Sequence, residues 1–166
     1  MDAGKINLSD PLANVELSQS EADQLLELEK VCRDDTMWEF PNMGGSISIP
    51  LTSRDGRAPF LLDIQRGRIN FAKITYQNRV RRSIVLVRLD LGGSPHRNPD
   101  GKRIETPHLH LYRAGYADKW AFPVPMDRFR NLSNMRRSLD DFMRFCNIVE
   151  SPNIVESPYI QGSLFA

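Results

Sequence analysis

From Gly44-Gly45 to Pro125 the chain is a succession of short β-branched or alternating segments, each closed by a turn signal. This pattern restricts the fold more than any other feature of the sequence. It predicts strands near 46–51, 59–65, 68–77, 82–91, 107–113 and 119–123. Arg66-Gly67, between the second and third of these, predicts a tight hairpin in which Gly67 supplies a positive φ, so the pair is antiparallel. Ile84-Val85-Leu86-Val87 is a nearly continuous apolar run, as in a central strand covered on both faces.

A predicted helix stands on either side of this β region. Ser18 and Glu21 have capping-box spacing, and Ala22, Leu25, Leu26 and Leu28 continue as an apolar stripe, which predicts a helix over 18–33. Leu132, Met135, Leu139, Phe142, Met143 and Cys146 recur every three or four residues, which predicts a helix over 133–146 capped by Ser133. The expected fold is therefore α+β: an antiparallel sheet packed by an N-terminal and a C-terminal helix, one domain over 1–146. Asn147-Ile-Val-Glu-Ser-Pro152 is repeated identically as Asn153-Ile-Val-Glu-Ser-Pro158. A six-residue period is too short for a solenoid, so 147–166 is expected to be an extended tail carrying a duplication. Its end, Gln161-Gly-Ser-Leu-Phe165, is similar to short peptides that dock on bacterial sliding clamps.

A chain of 166 residues can bury a core without a covalent staple, and its two cysteines, Cys32 and Cys146, both in apolar helical patterns, are expected to be reduced structural thiols. No leader pattern and no apolar stretch near the roughly 20 residues of a membrane helix is visible, so a cytoplasmic protein without membrane contact is expected. The formal net charge of +1 conceals a segregation. Residues 1–39 carry ten acidic and three basic residues, whereas residues 53–104 carry twelve basic and four acidic. The basic middle suits a phosphate-facing surface, or a face that the acidic N-terminal segment neutralises.

All three histidines fall within fifteen positions, as His96, His108 and His110. On a strand, period two places His108, His110 and Tyr112 on one face and Leu109 and Leu111 on the other. Three readings follow. The rings can chelate zinc or iron, although no glutamate follows the dyad as it does in cupin-like sites. They can act as acid and base on a phosphodiester without metal, with Arg66, Arg79, Arg88 and Arg113 supplying positive charge. Or they are strand residues hydrogen-bonded to Asp63 or Asp90, with Arg88 and Asp90 forming a structural ion pair. Pro99, Asp100 and Gly101 are accounted for by a turn. Tyr76, Gln77 and Arg79 have the residue types to bind a base, a ribose and a phosphate, with Tyr76 or Tyr112 as a stacking ring.

Five motifs, Leu61-Leu-Asp-Ile-Gln-Arg66, Thr75-Tyr-Gln-Asn-Arg79, Val87-Arg-Leu-Asp90, Pro95-His-Arg-Asn-Pro-Asp-Gly101 and Pro107-His-Leu-His-Leu-Tyr112, are followed by Gly115-Tyr116 and Asp118-Lys-Trp-Ala121. Together, over 60–123, they resemble an uncharacterised bacterial family of unknown function often carried by prophages. The resemblance implies a setting of toxins, phage defence and counter-defence. The leading expectation is a metal-independent endoribonuclease with no cofactor. In it His108 and His110 act as acid and base with His96 beside them, Arg79 and Arg88 hold phosphate, Tyr112 positions the substrate, and Arg66, Tyr76, Gln77 and Arg113 bind RNA. The alternatives are a non-enzymatic inhibitor engaging a nucleic acid, a nucleoprotein or a cognate protein, and a metal-binding protein using the histidines.

Overall fold

The computed structural model describes residues 16–156. In chain order these form α1 (Gln19–Glu27), β1 (Lys30–Val31), β2 (Met37–Glu39), β3 (Ser46–Ser53), β4 (Pro59–Arg66), β5 (Ile74–Val80), β6 (Ile84–Leu91), β7 (His96–Arg97), β8 (Arg103–Ile104), β9 (His108–Leu111), β10 (Ala121–Pro123), α2 (Met135–Phe145), β11 (Ile148–Glu150) and β12 (Asn153–Val155). Eight strands make one sheet in the order β10-β9-β6-β5-β4-β3-β1-β11. Neighbours in it are antiparallel except β1 and β11, which run parallel. The sheet is therefore mixed, where a purely antiparallel one was expected.

Period-two alternation sorts the sheet into two unlike faces. On one, Ile47, Ile64, Tyr76, Leu89 and Leu109 stand opposite one another across five strands, forming an apolar row. Leu139, Phe142 and Met143 of α2 are buried in the same core. The Tyr76 ring lies 5.8 Å from that of Phe142, and its hydroxyl donates to the Met135 carbonyl at 3.0 Å. Burial of these side chains, at about 25 cal/mol per Å² of apolar surface, is the main force on this face. α1 has the expected capping box at Ser18 and Glu21, but it buries only Ala22 fully, with Leu25 and Leu26 partly buried against the core.

The predicted N-terminal helix ends early because Lys30 and Val31 pair with β3 and β11. Lys30 Nζ donates to the carbonyls of Leu26, Leu28 and Cys146 at 2.8–2.9 Å, tying the C-terminal ends of both helices to β1. Burial lowers the Lys30 pKa to about 8, and burial of Cys146 pushes its thiol up to about 12 against the opposing charge of Lys30. Both cysteines are free thiols, and Cys32, only half-buried, lies beyond β1 and in no helix. The cap of α2 is Asn134, whose side chain accepts from the Arg137 N–H, and not Ser133.

Between β4 and β5 the chain makes a seven-residue loop over 67–73 in place of a tight turn, and Gly67 is not at positive φ. Glycine is needed there for a different reason: a Cβ would lie 2.8 Å from the Asn70 carbonyl oxygen and 2.9 Å from Lys73 Cβ. β6 lies inside the sheet, but of its apolar run only Leu86 and Val87 are fully buried. The two identical hexapeptides form the last two strands, β11 beside β1 and β12 beside β2, with Ile148 and Ile154 buried. The Gln161–Phe165 peptide lies outside the described residues. No helix among the described residues is long and apolar enough to cross a membrane.

Candidate functional site

The opposite face of the sheet carries two polar rows. Ser46, Gln65, Thr75, Asp90 and His108 stand opposite one another in successive strands, and so do Ser48, Asp63, Gln77, Arg88 and His110. Register alone thus brings Arg88 beside His110 and Asp90 beside His108. The antiparallel β7–β8 hairpin carries His96. It is anchored by Asn98, which donates to and accepts from the backbone of Ala121 at 2.9 and 2.8 Å. The His96 ring stands edge-on to His110 with centroids 4.6 Å apart, and 5.9 Å from that of His108. The Asn98–Gly101 turn behind it has Gly101 at φ 85°, as its Asp-Gly signal predicts.

Each imidazole is held by a main-chain carbonyl. His108 Nδ1 is 3.2 Å from the Glu105 oxygen, His110 Nδ1 2.8 Å from that of Asp118, and His96 Nε2 2.8 Å from that of Lys119. A carbonyl only accepts, so these ring nitrogens carry the protons. The other nitrogens of His108 and His110 converge on one carboxylate: Asp90 Oδ2 lies 3.4 Å from Nε2 of His108 and 3.2 Å from Nε2 of His110. Asp90, His108 and His110 thus each offer one donor atom within 4.8 Å of the others, and His96 lies outside this group.

Arg88 closes the cluster. Its Nε donates to Asp90 at 3.1 Å, its Nη1 to Asp118 at 2.6 Å and its Nη2 to His110 Nε2 at 2.9 Å. Burial alone would raise the Asp90 pKa. The rings of His108 and His110, the Arg88 charge and the Thr75 hydroxyl outweigh burial and hold it well below the usual carboxylate range. Arg88 thus reaches Asp90 and His110 together and places its positive charge beside both.

Beside the cluster a groove of about 620 Å³ opens over the first polar row, with Gln65, Thr75, Asp90 and His108 along it and Gln77 and Arg88 behind. Arg68 and Lys73 of the 67–73 loop line its rim, so cations outnumber the single carboxylate, Asp90.

The other expected site residues are placed differently. Tyr112 lies beyond the end of β9. Its N–H bonds Leu86, its hydroxyl donates to the Leu17 carbonyl at 2.8 Å, and the ring is in the core, so it does not share a face with the histidines. Tyr76 is fully buried under α2 and offers no stacking surface. Arg66 has the alternation of Ile64 and turns to the helix-covered side. It is 6% exposed, with one long bond of 3.5 Å to the Pro41 carbonyl, and only its place at the strand end puts it on the groove wall. Arg79 is spent on a two-point ion pair with Asp63, at 2.5 and 2.7 Å. Arg113 is exposed but lies 4.6 Å over the Trp120 ring, outside the groove. Gln77 does line the groove, donating to Asp63 at 3.1 Å. Two partners escaped the sequence reading as functional groups: Asp118, and Asp90 as a donor shared by two rings. The spacing of Asp90 from Arg88 on one strand face was the available signal for the second.

The comparisons fit the span of this architecture. A family model described as "Family of unknown function (DUF6978)" matches residues 17–148. The chain belongs to the DUF6978 family. The match extends from α1 through α2, well beyond the 60–123 motifs, and so takes in the whole polar face. No curated protein and no solved structure matches the chain.

Proposed function

We propose that Asp90, His108 and His110 of this DUF6978 protein form a mononuclear metal centre, and that the adjoining groove takes a phosphodiester substrate, RNA in the first instance. The observation that carries this is the donor spacing. A metal ion with bonds of about 2.0–2.2 Å sets its ligands roughly 3.0–3.4 Å apart, and the two nitrogens stand 3.4 and 3.2 Å from Asp90 Oδ2. Support comes from the carbonyls behind both rings, which fix the Nδ1–H tautomer as the outer partners of metal-bound histidines do. Two imidazoles and a carboxylate suit Zn²⁺, Fe²⁺, Mn²⁺ or Co²⁺ and would leave positions open for water, which such an ion would acidify. Arg88 keeps its bonds to Asp90 and Asp118 and gives up only that to His110.

A second reading is favoured by that same Arg88 contact, which already supplies positive charge to His110. In it the protein is a metal-independent endoribonuclease. His108, 2% exposed at the groove wall beside the more open Asp90, exchanges the proton, while the fully buried His110 positions Arg88. We propose for either form a cytoplasmic role in toxin action or phage defence, the setting that the sequence resemblance implies.

One experiment separates them. Chelator-stripped protein is titrated with Co²⁺ by visible absorbance, and RNA cleavage is followed in EDTA and after metal return. The metal reading expects one ion per chain, its loss in His108→Ala and Asp90→Ala variants that still melt cooperatively, and cleavage only with metal. Cleavage that persists in EDTA and disappears in His108→Ala replaces it with the second reading. Neither metal binding nor cleavage leaves a non-enzymatic binding protein.

A further inference from the structure

The 67–73 loop at the groove rim exposes Ile69 by 87% and Phe71 by 71%, the two most exposed large apolar side chains among the described residues. These side chains stand on a loop whose backbone is well tied down. Gly67 N–H donates to the Lys73 carbonyl, Lys73 N–H to that of Asn70, and Ala72 N–H to the Asn70 side chain. The loop is also pressed against the Gly92-Gly93 turn: a Cβ on Gly92 would lie 2.7 Å from the Ala72 carbonyl oxygen, and that on Gly93 would touch the Lys73 stem. So the loop holds its apolar tip in water on a fixed support. The tip is interleaved with charge, in the order Arg68, Ile69, Asn70, Phe71, Ala72, Lys73, and its two cations line the groove that reaches Asp90 and His108.

We infer that the loop is the entry platform for a single-stranded polynucleotide. A base stacks on Phe71 beside Ile69, the flanking phosphates lie against Arg68 and Lys73, and the strand continues along the groove to the histidine cluster. An aromatic ring between cations is the arrangement that holds unpaired bases without sequence preference, since every base has a stacking face and every link a charge. Duplex bases are already stacked on one another and cannot use such a ring. The inference deepens the reading of the groove as a phosphodiester site and rests on it, but it needs neither metal nor cleavage.

The test is fluorescence anisotropy of a labelled 12-nucleotide oligouridylate with the full chain in EDTA, so that binding is read without metal. The wild type is expected to bind, more weakly as salt rises. Phe71→Ala should weaken binding by about five- to a hundredfold. Arg68→Ala and Lys73→Ala should each reduce the slope of log affinity against log salt by about 0.7. A 12-base-pair RNA duplex should bind at least tenfold more weakly than the single strand. Equal binding of strand and duplex, or Phe71→Ala binding like wild type, overturns the inference. So does a wild-type oligomer that Ile69→Ala/Phe71→Ala converts to monomer, because the tip is then a contact between copies. Co²⁺ titration of Phe71→Ala keeps the two proposals apart: retained metal binding with lost RNA binding supports the platform, and RNA binding through Phe71 without any metal binding leaves the platform standing and ends only the metal centre.

Discussion

Leu89 and Asp90 are consecutive residues of β6 that face opposite sides of one sheet. Leu89 is fully buried between Tyr76 and Leu109, in a row whose one polar side-chain group is the Tyr76 hydroxyl, bonded to Met135. Asp90 is 20% exposed in its side chain and is bonded by Thr75, Arg88 and the two rings. One face is held by the removal of apolar surface from water, which is insensitive to direction. The other is held by pairings whose worth depends on angle, proton position and charge. The first specifies that a sheet forms and which way round it lies; the second uses the rigidity so gained to keep several ionisable groups within a few ångströms. Chemistry and stability are therefore separable by single steps along a strand.

The largest effect belongs to the covered face. Leu89→Ala should destabilise the fold by about 2–5 kcal/mol through lost burial and the cavity left behind, read as a lower urea midpoint with unchanged slope. While folded, that variant should still bind one Co²⁺ per chain. Loss of metal binding in conditions where the variant is fully folded would join the two faces and break the comparison.

A smaller loss is expected on the polar face, away from the histidines. Arg79 and Asp63 share two hydrogen bonds, with side chains 22% and 15% exposed, and Arg79 also donates to the Arg82 carbonyl at the β5–β6 turn. Arg79→Ala leaves a largely buried carboxylate with only Ser48 and Gln77, and should cost about 1–3 kcal/mol. Thermal melts at low and high salt are the check. A partly buried pair is only weakly screened, so a loss that vanishes in 1 M salt would mark the pair as a surface contact.

The same contrast explains what was legible in the sequence. Burial follows alternation, so β3, β4, β6, β9, β10 and the presence of both helices could be read from local pattern, whereas 68–73, expected in a strand, is loop, and β1, β2, β7, β8, β11 and β12 are too short to show a period. Parity also decides Tyr76 and Arg66: Tyr76 shares its side with Ile74 and Arg66 with Ile64, and pattern alone would have removed both from a binding surface. The polar cluster is a product of register between distant strands and of a covering hairpin. His108 and His110 stood out as a dyad and Asp90 as a partner, but their carbonyl supports come from Glu105 and Asp118, in loops whose path no periodicity encodes. Tyr112 was misplaced because β9 ends at Leu111, and beyond it the side chain turns to Leu17. The tail misleads in a similar way. Identical hexapeptides have identical local preferences, yet Asn147 closes α2 at φ 56° while Asn153 begins a strand, because β1 and β2 offer them different edges.

The finest test of the polar face uses pH. Burial by itself would raise the Asp63 pKa, but Arg79, Ser48 and Gln77 outweigh it and hold the carboxyl below its ordinary value. The unfolded chain therefore takes up this proton more readily than the folded one. The stabilisation is complete above about pH 4, the unfolded value, and is lost as pH falls through the lower folded one. Asp63→Asn keeps the side-chain shape and removes the titration. The stability difference between wild type and this variant should be flat from pH 5 to 8 and shrink below about pH 4, measured by urea unfolding at each pH. Leu89→Ala, subtracted in the same way, should give a difference that does not change with pH over that interval, since the substitution removes no titrating group. A sloping difference for Leu89→Ala would mean that loosening the apolar row also loosens the carboxylates one residue away, and that the two faces are coupled through the strands they share.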